Sequence, residues 1–400
     1  MLNLISNLLM LLSLCFWGSI ALFVGLMIHY GWIYAALLRQ PAEEERPHPT
    51  TQPGISILLY THNQLDQLRN CLSVILTQDY PNFEVIVIDD DSTDGTEEWL
   101  KQTQQEFEQL HYTFIPPSTR FIHHRGLAFL LGAKAAHHDI LLFTEADCTP
   151  LSDQWLTTVA NHYQQGTELL IGFCRYTEGT ELTQQRIAFE NLREGARYLV
   201  AARAGHPYAG DSRNLSYRRS LLWKQPTAWL SQFAQGTNEQ NHFVRHTANG
   251  RNTRPLYTPE GLTEMEPIDA LSWRTLQIER MRNAKKGGLM PIWFSMETGG
   301  FILFHGLVIG TCLLALPTYW HYALIVLALY GLRLWVCSYL YKQLARRLDQ
   351  FPFSYRFHLL EWMSLFHQFS LRLSSQKRCS PSSLTRRLRC LYANWQAHRR

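Results

Sequence analysis

Uncharged apolar stretches lie at both ends of the chain, around a polar centre. Leu8 to Tyr30 holds no Asp, Glu, Lys or Arg, and about 20 apolar residues suffice for a helix to cross a bilayer. Gly299–Leu316 and Tyr322–Tyr341 have the same character, with only Arg333 charged in the second. Three membrane spans are therefore predicted. A cleaved signal peptide is disfavoured for the first, because it lacks a basic start and its apolar run is too long.

Between these stretches, short β-branched runs alternate with amphipathic segments. The successive pairs are Ile55–Leu59 with Leu65–Gln78, Phe83–Ile88 with Thr96–Phe107, and Leu127–Ala136 with Ile140–Phe143. Strands that alternate with helices predict an α/β fold with a doubly wound sheet. Ligands of such sheets bind at the carboxyl ends of the strands. The residues that follow each strand are therefore the first candidates for chemistry.

Changes in composition divide the chain into five predicted parts. Residues 1–39 form an N-terminal transmembrane anchor, 40–53 a linker, 54–286 the α/β domain, 287–341 two transmembrane helices, and 342–400 a basic C-terminal region. Phe353–Leu373 would place Leu359, Trp362, Met363, Phe366, Phe369 and Leu373 on one helical face and Glu361, Ser364, Gln368 and Arg372 on the other. This pattern predicts an amphipathic helix that lies in the membrane interface.

The placement of basic residues predicts the orientation in the membrane. Lys342, Arg346 and Arg347 follow the last span, whereas the link Pro317–His321 between the second and third spans has neither Lys nor Arg. Lys and Arg favour the cytoplasmic side, so the link is expected outside and the α/β domain in the cytoplasm of a multi-pass plasma or inner-membrane protein. The net charge of +4 is mild, and no nucleic-acid partner is expected. Eight cysteines without a CxxC pair predict free thiols and no zinc site.

Four aspartates occupy six positions directly after the strand that ends at Ile88. They are Asp89, Asp90, Asp91 and Asp94. A helix cap at Ser92 or Asp94 would require only one or two such residues, and four carboxylates repel one another. A carboxylate at the tip of a strand can hydrogen-bond a nucleobase or ribose. The cluster is therefore interpreted as a nucleotide-binding site.

A second acidic pair, Glu145 and Asp147, follows the strand Ile140–Phe143. Two carboxylates separated by one residue suit a hard divalent cation that is shared with a diphosphate. Such pairs also cap helices by chance. Their position after another strand of the same predicted sheet favours the metal interpretation.

Four segments together resemble a family 2 glycosyltransferase of the membrane-bound, cellulose-synthase-like branch: Ile55–Asn63, Val87–Thr96, Arg125–Pro150 and Gly205–Arg219. The resemblance implies a nucleotide-diphospho-sugar transferase (GT-A) fold and Mg²⁺ or Mn²⁺ on Asp147 and Glu145, although the family has an aspartate where Glu145 stands. The donor-binding residues that it implies are Thr61, Asn63, Asp89, Asp90, Arg125, Arg280 and Arg282.

Three further segments resemble the family's later motifs. Gly210–Tyr217 is similar to the family's segment near the acceptor, which implies Asp211 and Asn214; a structural turn is an equal alternative for Asn214. Glu239, after Thr237 and Asn238, resembles the family's catalytic base, and it opens a predicted helical run to Thr247; a surface glutamate at a helix start is the alternative. Arg280 and Arg282 follow Trp273 and Gln277 as in the family's Gln-x-x-Arg-Trp region, with Asn283 in place of the tryptophan. Together with Lys285 and Lys286 they could equally form a juxtamembrane basic stretch.

The resemblance implies an inverting transfer of a sugar from a nucleotide-diphospho-sugar to a lipid-linked or polysaccharide acceptor. Membrane lipids and polysaccharide-assembly proteins are the other expected partners. A catalytically degenerate membrane subunit is the alternative, because Glu145 and Asn238 depart from the family pattern. A sugar nucleotidyltransferase is disfavoured, because Tyr60-Thr61-His62-Asn63 is not a Gly-rich phosphate loop. For Arg333, an ion pair with another helix and a contact with a lipid headgroup both stay open.

Overall fold

The computed structural model describes residues 2–38, 52–115, 124–163, 166–224, 239–284, 289–315, 318–351 and 357–377. The helices are α1 (Leu2–Leu38), α2 (Leu65–Leu76), α3 (Thr96–Thr103), α4 (His124–Ala135), α5 (Trp155–His162), α6 (Leu182–Arg203), α7 (Ser220–Lys224), α8 (Glu239–Thr247), α9 (Ala270–Ala284), α10 (Leu289–Ala315), α11 (Trp320–Arg347) and α12 (Phe357–Lys377). The strands are β1 (Ile55–Thr61), β2 (Phe83–Asp89), β3 (Leu110–Phe114), β4 (Ile140–Glu145), β5 (Thr149–Pro150), β6 (Leu169–Ile171), β7 (Cys174–Tyr176), β8 (Leu215–Arg218), β9 (Thr253–Pro255) and β10 (Thr263–Met265).

A seven-stranded sheet in the order β3-β2-β1-β4-β8-β6-β9 forms the centre of the α/β domain. β1, β2, β3 and β4 run parallel, and β8 is antiparallel to both of its neighbours. A second sheet has the order β5-β10-β7. The predicted α/β fold class is confirmed. The antiparallel β8 and the small second sheet were not predicted, because their strands are two to four residues long and carry no periodic signal.

The central parallel strands are buried on both faces. In β1, Ile55, Ile57 and Leu59 face one apolar core, and Leu58 faces the other. Strands that are covered by helices on both sides are expected to be apolar throughout rather than alternating. α4 packs closely on the Leu58 face: a Cβ added to Gly132 would stand 3.0 Å from a methyl of Ile88.

Three helices are long and apolar enough to cross a membrane: Ile5–Ile33, Met296–Ala315 and Trp320–Arg347. They fall on the three stretches predicted as spans, and α1, α10 and α11 pack against one another. Large apolar side chains remain exposed on this bundle, among them Trp17, Leu313 and Trp335. A lipid environment would remove this apolar surface from water. The exact domain boundaries stay a prediction.

Arg333, in the middle of α11, is completely buried, and its Nη2 donates to Oε1 of Glu361 on α12 at 2.7 Å. The structure keeps the two predicted faces of the last helix apart. Glu361, on the predicted polar face, is only 3% exposed, whereas Leu359 and Phe366, on the predicted apolar face, are 50% and 69% exposed. The position of this helix in the membrane interface stays a prediction. The buried guanidinium requires a counter-charge, so the acidic face of α12 turns towards the protein. The ion-pair alternative for Arg333 is confirmed.

A second buried ion cluster joins α6 to the membrane helices. The carboxylate of Glu297, near the start of the second span, accepts from Arg193 at 2.9 Å and from Arg197 at 2.7 Å. His29 of α1 lies 3.6 Å from the same carboxylate. Because each buried charge has a partner of opposite sign, this cluster holds the α/β domain against the spans without leaving an uncompensated ion.

Candidate active site

Both predicted acidic clusters lie at one edge of the sheet, on either side of β1. In the register of the parallel strands, Thr61 pairs with Asp89 and Tyr60 pairs with Glu145. The backbone N–H of Asp90 donates to the carbonyl of Thr61 at 3.0 Å, and that of Ala146 donates to the carbonyl of Tyr60 at 3.0 Å. The end of β1 therefore fixes both acidic turns. This is the edge where α/β sheets bind ligands.

Asp89 and Asp90 are both buried but differ in their contacts. Oδ2 of Asp90 accepts from the hydroxyl of Tyr60 at 2.6 Å. Oδ1 of Asp89 has no hydrogen-bond partner in the described structure, although Asp89 is only 4% exposed. Burial raises the pKa of Asp89 above its usual value, and hydrogen bonds from Ser92 only partly offset this effect. Oδ1 of Asp89 could therefore accept a hydrogen bond from a hydroxyl or N–H of a ligand.

The other polar residues of this edge hold its loops together. Asn63, with a φ of 51°, accepts from the N–H of Thr93 at 2.8 Å, and its own N–H donates to Ser92 at 2.9 Å. Asp94 accepts from the N–H groups of Leu65 and Thr96 at the starts of α2 and α3. Asp94 thus ties the starts of α2 and α3 together, although Gly95 is the N-cap residue of α3. The hydroxyl of Thr61 is buried without a described partner.

Glu145 and Asp147, the predicted metal ligands, are both half-buried. Oε1 of Glu145 accepts from the hydroxyl of Ser212 at 3.0 Å, and Oδ2 of Asp147 accepts from the amide of Gln64 at 3.3 Å. No group of three His, Cys, Asp or Glu side chains that could hold a metal occurs among the described residues. A magnesium-type ion is commonly held by one or two carboxylates together with substrate phosphates. The pair fits such a shared ion but not a closed, all-protein site.

A small open recess adjoins this edge, between the sheet and α4. Apolar side chains form most of its wall, and Tyr60, Glu145 and Ser212 are among its polar residues. The apolar part includes Phe129 and Phe143, whose rings stack with centroids 4.4 Å apart. Ser212 and Phe129 were not singled out in the sequence, since no local pattern shows that they meet Glu145.

Asp211 and Asn214, the predicted acceptor residues, are buried in a short 3-10 turn. Both oxygens of Asp211 accept from Arg213, with the closest contact at 2.5 Å. Burial alone would lower the pKa of Arg213, but the Asp211 carboxylate beside it holds the pKa well above its usual value. The amide of Asn214 donates to the carbonyls of Phe173 at 3.2 Å and Gly261 at 2.8 Å. These contacts favour the structural-turn alternative for Asn214, and the acceptor roles stay predictions.

Glu239 is the first residue of α8, and α8 runs to Thr247 as predicted. α8 packs on α4 beside the recess, where the rings of Phe243 and Phe129 lie 5.6 Å apart. Arg125 is the second residue of α4, and Arg280 and Arg282 belong to the last turns of α9. The side chains of Glu239 and these three arginines, and the whole of Thr237 and Asn238, lie outside the described residues.

The comparisons with known proteins agree with this geometry. The Glycosyl transferase family 2 profile matches residues 56–225, which carry both acidic clusters. This segment is a family 2 glycosyltransferase domain. The predicted resemblance to family 2 is thereby confirmed.

Curated relatives extend the same similarity. The domain is similar to the glycosyltransferase AglE of Haloferax volcanii, with 26% identity over 148 residues, 36% of this chain and 47% of the relative. It is also similar to the poly-beta-1,6-N-acetyl-D-glucosamine synthase of Staphylococcus epidermidis, with 33% identity over 97 residues, 24% of this chain and 22% of the relative. The chain thus spans less than half the length of these relatives.

A mannosyltransferase from Pyrobaculum calidifontis, solved in complex with GDP-Man and Mn²⁺, shares the fold. The TM-score is 0.52 at 17% identity, over 84% of this chain and 98% of the other. The predicted GT-A fold is therefore confirmed.

Proposed function

We propose that the protein is a membrane-anchored, inverting glycosyltransferase that moves a sugar from a nucleotide-diphospho-sugar to a lipid-linked or polysaccharide acceptor. The observation that carries the proposal is the meeting of Asp89–Asp90 and Glu145–Asp147 on either side of β1. This arrangement offers a nucleoside contact and a cation site at one sheet edge. The family 2 domain supports the same reaction class.

Asp89 and Asp90 would bind the nucleoside. Oδ1 of Asp89 has no described partner, so a ribose hydroxyl or a base N–H can supply the missing hydrogen bond. Asp90 is oriented by Tyr60 at 2.6 Å, which fixes the second carboxylate beside the first. Thr61 and Asn63, at the end of β1, and Arg125, at the start of α4, complete the proposed donor site.

Asp147 and Glu145 would hold Mg²⁺ or Mn²⁺ against the donor's diphosphate. Such an ion, when bound, neutralises negative charge on the departing nucleoside diphosphate. Ser212 and Gln64 orient the two carboxylates through hydrogen bonds. Arg280 and Arg282, on α9, would add positive charge near the leaving group.

Glu239 would act as the general base that removes the proton of the acceptor hydroxyl. It is the first residue of α8, and the dipole at a helix N-terminus favours the ionised carboxylate that a base needs. Asp211 and Asn214 would shape the acceptor side, with Asp211 held rigidly by Arg213. In a single displacement, the acceptor oxygen forms the new bond to the anomeric carbon while the bond to the diphosphate breaks, which inverts the configuration.

The three apolar helices support a position of this domain beside a bilayer, and the Lys/Arg distribution favours the cytoplasmic face. A domain in that position can reach an acceptor that is linked to the membrane. Three spans are few to enclose a wide polymer channel, which favours transfer of single sugars or action within a complex.

Reporter fusions test the predicted orientation in the membrane. Fusions after Arg39 and Arg347 should report the cytoplasm, and a fusion at Thr318 should report the outside. A soluble domain outside the cytoplasm would contradict the proposal.

Transfer and donor hydrolysis by the full-length protein in lipid nanodiscs test the function directly. A panel of nucleotide-sugars with Mn²⁺ should yield turnover for at least one donor. Turnover should be lost in Asp147→Ala, with the melting temperature unchanged. Donor binding without transfer or hydrolysis, across all donors and acceptors, would instead favour a catalytically degenerate binding subunit.

A further inference from the structure

Helix α11, the last of the three predicted spans, ends in a turn that leads the chain back to the α/β domain. The N–H of Gln350 donates to the carbonyl of Ala345 at 2.7 Å and closes the end of the helix. Asp349, just before it, has a φ of 48°, in the left-handed region that residues other than glycine seldom adopt. This conformation costs free energy, which contacts beyond the turn have to offset.

Two side chains of this turn attach it to strand β7. Gln350 is only 4% exposed. Its Oε1 accepts from the N–H of Tyr176 at 3.3 Å, and its Nε2 donates to the carbonyl of Tyr176 at 2.7 Å. Because β7 is an edge strand of the small sheet, the amide of Gln350 supplies hydrogen bonds that a further strand would make. Asp349 accepts from Arg175 at 2.5 Å, so the turn is fastened to β7 at two neighbouring residues.

The side chain of Tyr176 reaches the 3-10 turn beside the proposed metal site. Its hydroxyl accepts from Nη1 of Arg213 at 3.1 Å. The same guanidinium donates to both oxygens of Asp211, so Arg213 is held by β7 and by its own turn at once. Tyr176 is 1% and Arg213 5% exposed. Water therefore does not compete for these hydrogen bonds, and a charged donor makes them strong.

The 3-10 turn carries Ser212, whose hydroxyl donates to Oε1 of Glu145 at 3.0 Å. Ser212 stands between Asp211 and Arg213 in the sequence, so the contact between those two buried side chains sets the place of its hydroxyl. A residue that hydrogen-bonds a metal ligand fixes the orientation of that ligand. A continuous series of contacts thus leads from the end of α11 to Glu145.

We propose that Gln350 is a positioning residue for Glu145, the proposed metal ligand. It acts through Tyr176 and Arg213, which hold the turn that carries Ser212. The cation affinity of the site then depends on how the end of the last span is seated on the α/β domain. This inference rests on the proposed metal site and goes beyond it, because it places a determinant of metal binding beside the membrane.

The test measures Mn²⁺ affinity by electron paramagnetic resonance, with the full-length protein in lipid nanodiscs. The probes are Mn²⁺ alone and Mn²⁺ with UDP or GDP. Gln350→Ala should weaken Mn²⁺ binding about 3- to 30-fold, as expected for a residue that is coupled to a site through packed contacts. Tyr176→Phe keeps the ring and removes only the hydroxyl that accepts from Arg213, and it should weaken Mn²⁺ binding within the same range.

Asn252→Ala is the matched control for loss of a buried amide. Asn252 is 8% exposed, and its amide also bonds backbone groups, the N–H of Asn249 at 2.8 Å and the carbonyl of Thr247 at 2.9 Å. It precedes β9, at the edge of the sheet opposite the acidic turns. Its loss should lower the melting temperature and leave Mn²⁺ affinity unchanged. Equal losses of Mn²⁺ affinity in Asn252→Ala and Gln350→Ala would show a general loosening of the fold and overturn the positioning role.

A double variant tests the route. Ser212→Ala should weaken Mn²⁺ binding about 10- to 100-fold, and Gln350→Ala should add no further loss to it, because its effect passes through the hydroxyl of Ser212. Additive losses would overturn this route. Unchanged Mn²⁺ affinity in Gln350→Ala and Tyr176→Phe would overturn the positioning role and leave the proposed function intact. If the unaltered protein binds no Mn²⁺ with any of the probes, the proposed metal site and this role are both wrong.

Discussion

The carboxylates at the carboxyl edge of the sheet and those at the membrane junction accept hydrogen bonds from different kinds of donor. At the junction, Glu297 accepts from two arginines and Glu361 from one. At the sheet edge, Glu145 accepts from a serine hydroxyl and Asp147 from a glutamine amide. A neutral donor orients a carboxylate but does not itself cancel the charge.

This difference separates carboxylates paired with arginines inside the fold from carboxylates at the predicted ligand edge. A buried ion pair has its counter-charge in the folded chain, and loss of either member leaves a costly buried ion. Asp147, which is half-buried and accepts from the amide of Gln64, can accept a cation and keep that hydrogen bond. The comparison supports a structural role for Glu297 and Glu361 and the proposed ligand-binding role of Asp147 and Glu145.

Glu239→Gln should give the largest change, a loss of about 10²- to 10⁴-fold in turnover with donor affinity preserved, because a positioned base is removed. Steady-state kinetics and donor titration on one sample measure both quantities. Glu181→Gln is the control, since Glu181 is an exposed glutamate that caps the start of α6. Near-normal turnover in Glu239→Gln would remove Glu239 from the base role and make it a helix-start residue only.

Arg333→Met and Glu361→Met should each destabilise the protein by about 3–5 kcal/mol, because each leaves the partner as a buried, unpaired charge. The double variant should recover most of that loss, since an apolar pair can replace a buried ion pair. Unfolding measured in detergent for all three variants tests the junction side of the comparison. A double variant as unstable as the sum of the single ones would contradict the pairing.

Asp89→Asn should weaken donor binding about 10- to 100-fold, as expected for loss of a hydrogen bond to a charged group. The same change should also stabilise the ligand-free protein at pH 7. Burial raises the pKa of Asp89, so ionisation costs folding free energy. That cost is absent below the pKa of the unfolded chain and fully present above the raised pKa of the folded state. A destabilised Asp89→Asn protein would show that the carboxylate is structural.

The smallest effect is expected at the other end of β2. Glu84 is buried there and accepts from Ser56 and from His137. Burial opposes ionisation of Glu84, but these hydrogen bonds hold its pKa below the usual value. The resulting stability is present above the unfolded-state pKa and is lost as pH falls through the folded-state pKa. His137→Ala should therefore cost about 1 kcal/mol near neutral pH and less as the pH falls through the folded-state pKa of Glu84, as measured by denaturant unfolding.

Much of the fold could be predicted because its signals are local. The apolar stretches predicted the three long apolar helices, and the alternation of β1, α2, β2 and α3 predicted the α/β class. The acidic clusters could be found because they directly follow buried strands. The partners of those acids could not be predicted, since Ser212 reaches Glu145 across 67 residues.

The last helix shows the same limit. The sequence pattern separates its apolar face from its polar face but does not say which face packs on the protein. Arg333 requires a counter-charge, so Glu361 turns inwards, and Leu359 and Phe366 on the apolar face are exposed. The two charged residues are 28 positions apart, and no local pattern contains that pairing.

The most direct test is the melting temperature of the full-length protein with a nucleotide-diphospho-sugar, measured with and without Mn²⁺. A bound nucleotide-diphospho-sugar at 100 times its Kd should stabilise the folded state by about 2.7 kcal/mol, and this gain should appear only when Mn²⁺ is present. Glu145→Asp should keep the gain and Asp147→Ala should lose it. Full Mn²⁺-dependent stabilisation of Asp147→Ala would contradict the assignment of the sheet edge as the donor site.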